Sequence, residues 1–184
     1  MRLFVAIPVD GKIRECATRL RKANEFRQGL RWTPMDQLHI TALFLGECPG
    51  RDFSSICQAM ASVCDQHKPF TLEQGQFVTA PRGHDAKKRM IWLHFAQHTA
   101  LTALHNELVA GLKPVVPTTL TPVETMEPHI TTARLRRGAA FPKVDLQVLK
   151  KPVYVEARNV WLVQSRLGAR GAVYRWLQCF SLDG

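Results

Sequence analysis

Apolar residues along the chain follow two rhythms. Residues 2–9 (RLFVAIPV), 38–45 (LHITALFL), 90–95 (MIWLHF) and 129–135 (HITTARL) are short runs dense in β-branched and aromatic side chains, and they predict strands. Shorter strands are predicted at 70–72 and 77–78, and two long ones at 153–163 and 172–180, separated by a turn around 168–171. Elsewhere the apolar spacing lengthens to three and four. Ile13, Cys16, Ala17 and Leu20 mark a helix over residues 11–27 that Asp10 is placed to cap. Phe53, Ile56, Cys57, Met60, Val63 and Cys64 mark a second helix over 53–67, and residues 99–112 form a third. Residues 80–89 and 136–151 are basic and irregular, while 114–128 carries four prolines in a looped or extended segment.

The predicted order is β-α-β-α-β-β-α-β-β-β. Strands outnumber crossover helices towards the end, which argues against a doubly wound parallel sheet. The pattern predicts an α+β fold with mostly antiparallel sheet and helices outside. No linker divides residues 1–184, so one domain or two small lobes sharing a core is expected.

Composition sharpens this only in places. The chain is 46% hydrophobic and 22% charged, as in a folded globular protein rather than a disordered or fibrous one. No apolar run approaches the roughly 20 residues that a bilayer span needs. The opening apolar stretch, Leu3 to Val9, is short and has no small-residue cleavage site, so it reads as a strand, and a cytoplasmic location is expected. Five cysteines without a CxxC pair suggest reduced, partly buried thiols. A net charge of +10 suggests an anionic partner, with RNA or DNA first and a nucleotide or membrane surface behind.

The chemistry lies in a repeat. His39-Ile40-Thr41-Ala42 and His129-Ile130-Thr131-Thr132 give His-Ile-Thr twice, each time in a predicted strand. Side chains alternate across a strand, so each triplet presents an imidazole and a hydroxyl on one face while the isoleucine anchors the other. One such triplet alone reads as ordinary strand composition; two in equivalent contexts read as a device. If the two strands share a cleft, the site holds two rings that titrate near neutrality. A neutral histidine removes a proton from the nucleophile, and a protonated one supplies the leaving group. The threonine hydroxyls donate to non-bridging oxygens. That set suits in-line attack on a phosphodiester without a metal or other cofactor.

These motifs, with LFVAIPV, Arg31-Trp32 before LHITALFLGE, the IWL strand, PHITTARL and the closing LVQSRLGARGAVYRWL, resemble the 2H phosphoesterases almost end to end. More closely, they resemble the bacterial and archaeal RNA 2′,3′-cyclic phosphodiesterases, also called 2′-5′ RNA ligases, of the ThpR/LigT type. The resemblance implies a two-lobed fold, with one HxTx motif and one antiparallel sheet per lobe about a pseudo-two-fold and a central cleft. It implies hydrolysis of 2′,3′-cyclic phosphate RNA ends, tRNA fragments among them, to 2′-phosphates, with reversible 2′-5′ joining. Carried onto this chain, His39 would be the proton donor and His129 the proton acceptor, with Thr41 and Thr131 on the phosphate. A monomer is expected. Two alternatives stay open: the same chemistry on small nucleotides (2′-5′ oligoadenylates or a cyclic ADP-ribose phosphate), and a non-catalytic module that grips RNA ends.

The family motif usually ends in an apolar residue, and Thr132 departs from that; alternation sends it away from His129, to a packing position. Alternation also sends Arg134 to the face opposite His129, where an ion pair competes with a substrate contact. Arg82, Lys87, Lys88 and Arg89, with Arg134, are candidate RNA contacts. His84 lies in the same loop. Trp32, Phe44 and Tyr174 are candidates for base stacking. His94, His98 and His105 lack the acidic or cysteine partners of a metal site and read as core or surface residues.

Overall fold

The computed structural model describes residues 1–81, 87–168 and 171–184. Ten strands and three helices follow one another as β1 (Arg2–Pro8), α1 (Gly11–Ala23), β2 (Leu30–Trp32), β3 (His39–Glu47), α2 (Phe53–Cys64), β4 (Phe70–Leu72), β5 (Gln76–Ala80), β6 (Met90–His94), α3 (Thr99–Leu112), β7 (His129–Leu135), β8 (Val155–Ala157), β9 (Asn159–Gly168) and β10 (Gly171–Ser181). Every strand pairing among the described residues is antiparallel. The main sheet runs β10-β9-β1-β3-β7-β6-β5, with β2 also paired to β7. This is the expected antiparallel α+β architecture. The two expected sheets are halves of one continuous sheet, joined where Ile40 of β3 faces Ile130 of β7.

Alternation gives the sheet two different faces. Leu3, Val5 and Ile7 of β1 join the main core with Ile13 and Leu20 of α1, Ile56 and Met60 of α2, and Leu101 and Leu108 of α3. Phe4 and Ala6, pointing the other way, form a smaller cluster with Val163, Trp161, Tyr174 and Trp176. His39 lies on this second face, its ring centroid 5.0 Å from that of Phe4.

Helix α1 begins as expected, with the Asp10 carboxylate accepting from the Ile13 N–H at 3.0 Å. It ends at Ala23 rather than residue 27 because Asn24 has other business. Buried to 1% exposure, Asn24 donates through Nδ2 to the carbonyls of Leu20 (2.9 Å) and Asp145 (2.7 Å) and accepts from the Asp145 N–H at 2.8 Å. One side chain thus closes the helix and ties down the basic segment after β7.

The single strand expected over 153–163 is broken. β8 pairs with β4 in a separate two-stranded sheet, and β9 joins the main sheet beside β1. Arg158 is the corner, its carbonyl taken by the Leu182 N–H at 2.9 Å. An apolar run records burial, not which sheet a strand joins. β3 likewise outlasts Leu45, because Gly46 takes a φ of +73° at a bulge where a β-carbon would collide with the Thr118 side chain. All five cysteines carry free thiols, and burial pushes Cys64 up to about 12. No described helix is long and apolar enough to cross a membrane.

Candidate active site

The two His-Ile-Thr strands are neighbours at the centre of the sheet. Their antiparallel register at Ile40↔Ile130 runs the triplets past each other head to tail, with His39 on the side of Thr131 and Thr41 on the side of His129. Both isoleucines are buried, at 1% and 0% exposure, so the polar face is fixed from behind by the core.

Each imidazole is locked in the same way. His39 donates from Nδ1 to the carbonyl of Gln37 at 2.7 Å, and His129 from Nδ1 to the carbonyl of Glu127 at 2.9 Å. A carbonyl only accepts, so Nδ1 must carry the proton in both rings, and in the neutral form Nε2 bears the lone pair. In neutral His39 that lone pair receives the Thr41 hydroxyl at 3.1 Å. Aromatic rings set the orientations further: Phe4 and Tyr174 pack on His39 at 5.0 and 5.2 Å, and Trp92 stacks on His129 at 3.8 Å and 21°.

This packing has an electrostatic consequence. Burial holds both imidazoles below their ordinary range, partly offset by the bonds to the Gln37 and Glu127 carbonyls, and by the Glu127 carboxylate at His129. The Arg134 guanidinium lowers both, and His129 also lowers His39. Lowered values keep each ring neutral to a more acid pH, and a two-histidine bell peaks between its two midpoints. The rate maximum in kcat/KM is therefore expected on the acid side of 6.5, with both ring-proton titrations in the same range. Arg134→Gln removes a repelling charge, so both midpoints should rise in proton NMR; midpoints that stay put or fall would contradict the placement of Arg134.

That placement corrects the expectation from alternation. Opposite β6, Ile91 faces Ala133 and Trp92 faces Thr131, so Thr132 is an extra residue in β7. Opposite β1, Val5 faces Leu43 and Ala6 faces Thr41, so Ala42 is the matching extra residue in β3. Each bulge resets the alternation. Phe44 and Arg134 therefore return to the faces of their own histidines, Phe44 67% exposed with its ring 6.1 Å from Phe4, and Arg134 exposed with Nη1 3.1 Å from the Met90 sulfur.

The carbonyls released by the bulges find partners elsewhere. Ala42 O accepts from Nδ1 of buried His105 on α3 at 2.7 Å, and Thr132 O accepts from the Thr33 N–H at 2.9 Å. Thr132 itself is buried at 3% exposure and donates to the Ile91 carbonyl at 3.0 Å, a packing role as the sequence suggested. His105 and Thr33 are thus structural supports that no motif announced.

Of the remaining candidates, Lys87, Lys88 and Arg89 lead into β6 at the end of β7 that carries Arg134; Lys88 donates to the Pro81 carbonyl and Arg89 O accepts from the Leu135 N–H. Arg82 and His84 lie outside the described residues. Tyr174 lies against His39, and Trp32 is half-buried against the main core. His94, His98 and His105 are dispersed. His94 pairs with Glu127 at 3.2 Å, and His98 stacks on Phe70 at 5.2 Å. Sequence reasoning does not find Gln37, Glu127, Phe4 or Trp92. Two of them act through backbone carbonyls, which leave no mark in a sequence, and the rings read simply as strand formers.

The same fold is found in solved structures. A Thermus thermophilus protein superposes with a TM-score of 0.82 at 26% identity, covering 100% of this chain and 99% of that one. Apo E. coli LigT gives 0.72 at 21% identity, covering 98% and 96%. Such a sheet, with two His-x-Thr triplets meeting at its centre, defines the class of 2H phosphoesterases. A model of the 2′-5′ RNA ligase superfamily matches residues 8–169, and the chain belongs to that family. Its relatives include an Archaeoglobus fulgidus protein named RNA 2′,3′-cyclic phosphodiesterase, 29% identical over 98% of this chain and 99% of its own length. A Thermus thermophilus protein of the same name is 30% identical over 100% and 91%.

Proposed function

We propose that this chain is a single bilobal catalytic domain that hydrolyses 2′,3′-cyclic phosphate RNA ends to 2′-phosphates by two-histidine acid–base catalysis. The observation that carries the reading is the matched lock on the two rings. With both Nδ1 protons committed to carbonyls, both Nε2 atoms are reserved for proton transfer. Water attacks the cyclic phosphorus while His129 Nε2 takes its proton. The bond from phosphorus to the 3′ oxygen breaks, and protonated His39 gives its Nε2 proton to that oxygen. The product has a 2′-phosphate and a free 3′-hydroxyl. Thr41 and Thr131 donate to the non-bridging oxygens, and Arg134 balances their charge. With a 5′-hydroxyl in place of water, the same steps form a 2′-5′ bond. No metal or cofactor enters the scheme. Lys87, Lys88 and Arg89 supply contacts to the chain beyond the reacting end.

The full-length similarity to proteins named RNA 2′,3′-cyclic phosphodiesterase supports the substrate. A short RNA ending in a 2′,3′-cyclic phosphate, incubated with the protein in EDTA and followed by phosphorus NMR, should yield the 2′-phosphate. A 3′-phosphate product, or no turnover, would overturn the proposal.

A further inference from the structure

Strand β2 brings a second arginine to the rim of the site. It pairs with β7 in antiparallel register, placing Arg31 opposite Arg134 and Trp32 opposite Ala133. Directly opposite residues on neighbouring antiparallel strands project to the same face. The bulge at Thr132 has returned Arg134 to the face of His129 and Thr131, so Arg31 shares that face. Both arginines are exposed.

Arg31 also reaches the other half of the sheet. Its guanidinium packs on Gly171, the first residue of β10, so closely that a β-carbon there would collide with it. Gly171 belongs to the β9–β10 hairpin on the β3 half of the sheet, whereas β2 is attached to the β7 half. Arg31 thus stands between Arg134 and the start of β10. Two guanidinium groups at directly opposite positions gather positive charge on one face, which suits an anionic chain lying across both. The division of labour follows from distance. The Arg134 charge is felt by both imidazoles, which puts it beside the reacting phosphate, and Arg31 lies one strand further along the same face.

Resting on the proposed reaction, we infer that Arg31 is a specificity-determining residue that binds the internucleotide phosphodiester next to the cyclic end, and so favours an RNA chain over a mononucleotide. Guanidinium geometry suits this task, because its planar fork meets two phosphate oxygens at once.

Two substrates isolate the contact. A mononucleoside 2′,3′-cyclic phosphate has only the reacting phosphate, while a dinucleotide with the same end adds one phosphodiester. The ratio of kcat/KM, dinucleotide over mononucleotide, should fall about tenfold in Arg31→Ala, mainly through KM. Arg31→Lys, which keeps the charge but not the fork, should recover part of it. The salt dependence of kcat/KM for the dinucleotide should also become shallower by about 0.7 in log–log slope. An unchanged ratio in Arg31→Ala overturns the inference and leaves the proposed reaction standing. A parent protein that turns over neither substrate removes that reading, and this one with it.

Discussion

His129→Ala and His39→Ala should each lower kcat for a cyclic phosphate RNA end by about 10²- to 10⁴-fold, with the overall fold retained. Both rings are half-buried on the face opposite the main core, so loss of either costs proton transfer more than core volume. On the proposed roles the two act within one step, one taking a proton as the other gives one. The double variant should therefore be little slower than the slower single variant, because a half-assembled acid–base pair has already lost the concerted path. Single-turnover rates in EDTA, with circular dichroism as the folding check, measure this. A loss below tenfold for either ring, or fully multiplicative losses, would mean that the imidazoles do not work as a pair.

The second large effect is on stability and geometry together. Ile130 is fully buried and is the residue through which β7 meets β3. Ile130→Ala deletes three side-chain carbons, Cγ1, Cγ2 and Cδ1, from the seam and leaves a cavity, which should cost about 3 kcal/mol and lower Tm by about 10 °C. Leu72 of β4 is equally buried but belongs to the separate two-stranded sheet, so Leu72→Ala should lose comparable stability and keep its kcat at a temperature where both variants are folded. Ile130→Ala should lose kcat as well, since the facing triplets depend on that contact for alignment. Equal kcat in the two variants would show that the seam is only packing.

The core of this arrangement could be read from the sequence because it rests on local rules. The runs at residues 2–9 and 129–135 became strands, the residues at helical spacing in α1 became its buried stripe, and the duplicated triplet gave the two rings and their face. What could not be read depends on partners distant in sequence. β2 is three residues long and exists only because β7 offers it an edge. The break at Arg158 reflects a choice between two sheets. Most consequential were the bulges, where Ala42 and Thr132 are ordinary strand residues with no glycine to mark the extra position. Alternation holds from His129 to Thr131 and fails at the next step, so it points Arg134, the arginine that acts on both rings, to the wrong face. The supports that permit the two bulges come from far along the chain, His105 for the Ala42 carbonyl and Thr33 for the Thr132 carbonyl.

The paired carbonyl locks also govern how the site resets after each turnover. On the proposed roles, one turnover leaves His39 neutral and His129 protonated, which is the starting state for the opposite direction. Neither ring can relay the proton internally, since its Nδ1 hydrogen stays bound to Gln37 or Glu127. On those roles the proton must pass from one Nε2 to the other by way of solvent before the next forward cycle. The free enzyme therefore exists in two interconverting protonation isomers, and product accumulation traps the one that cannot accept new substrate.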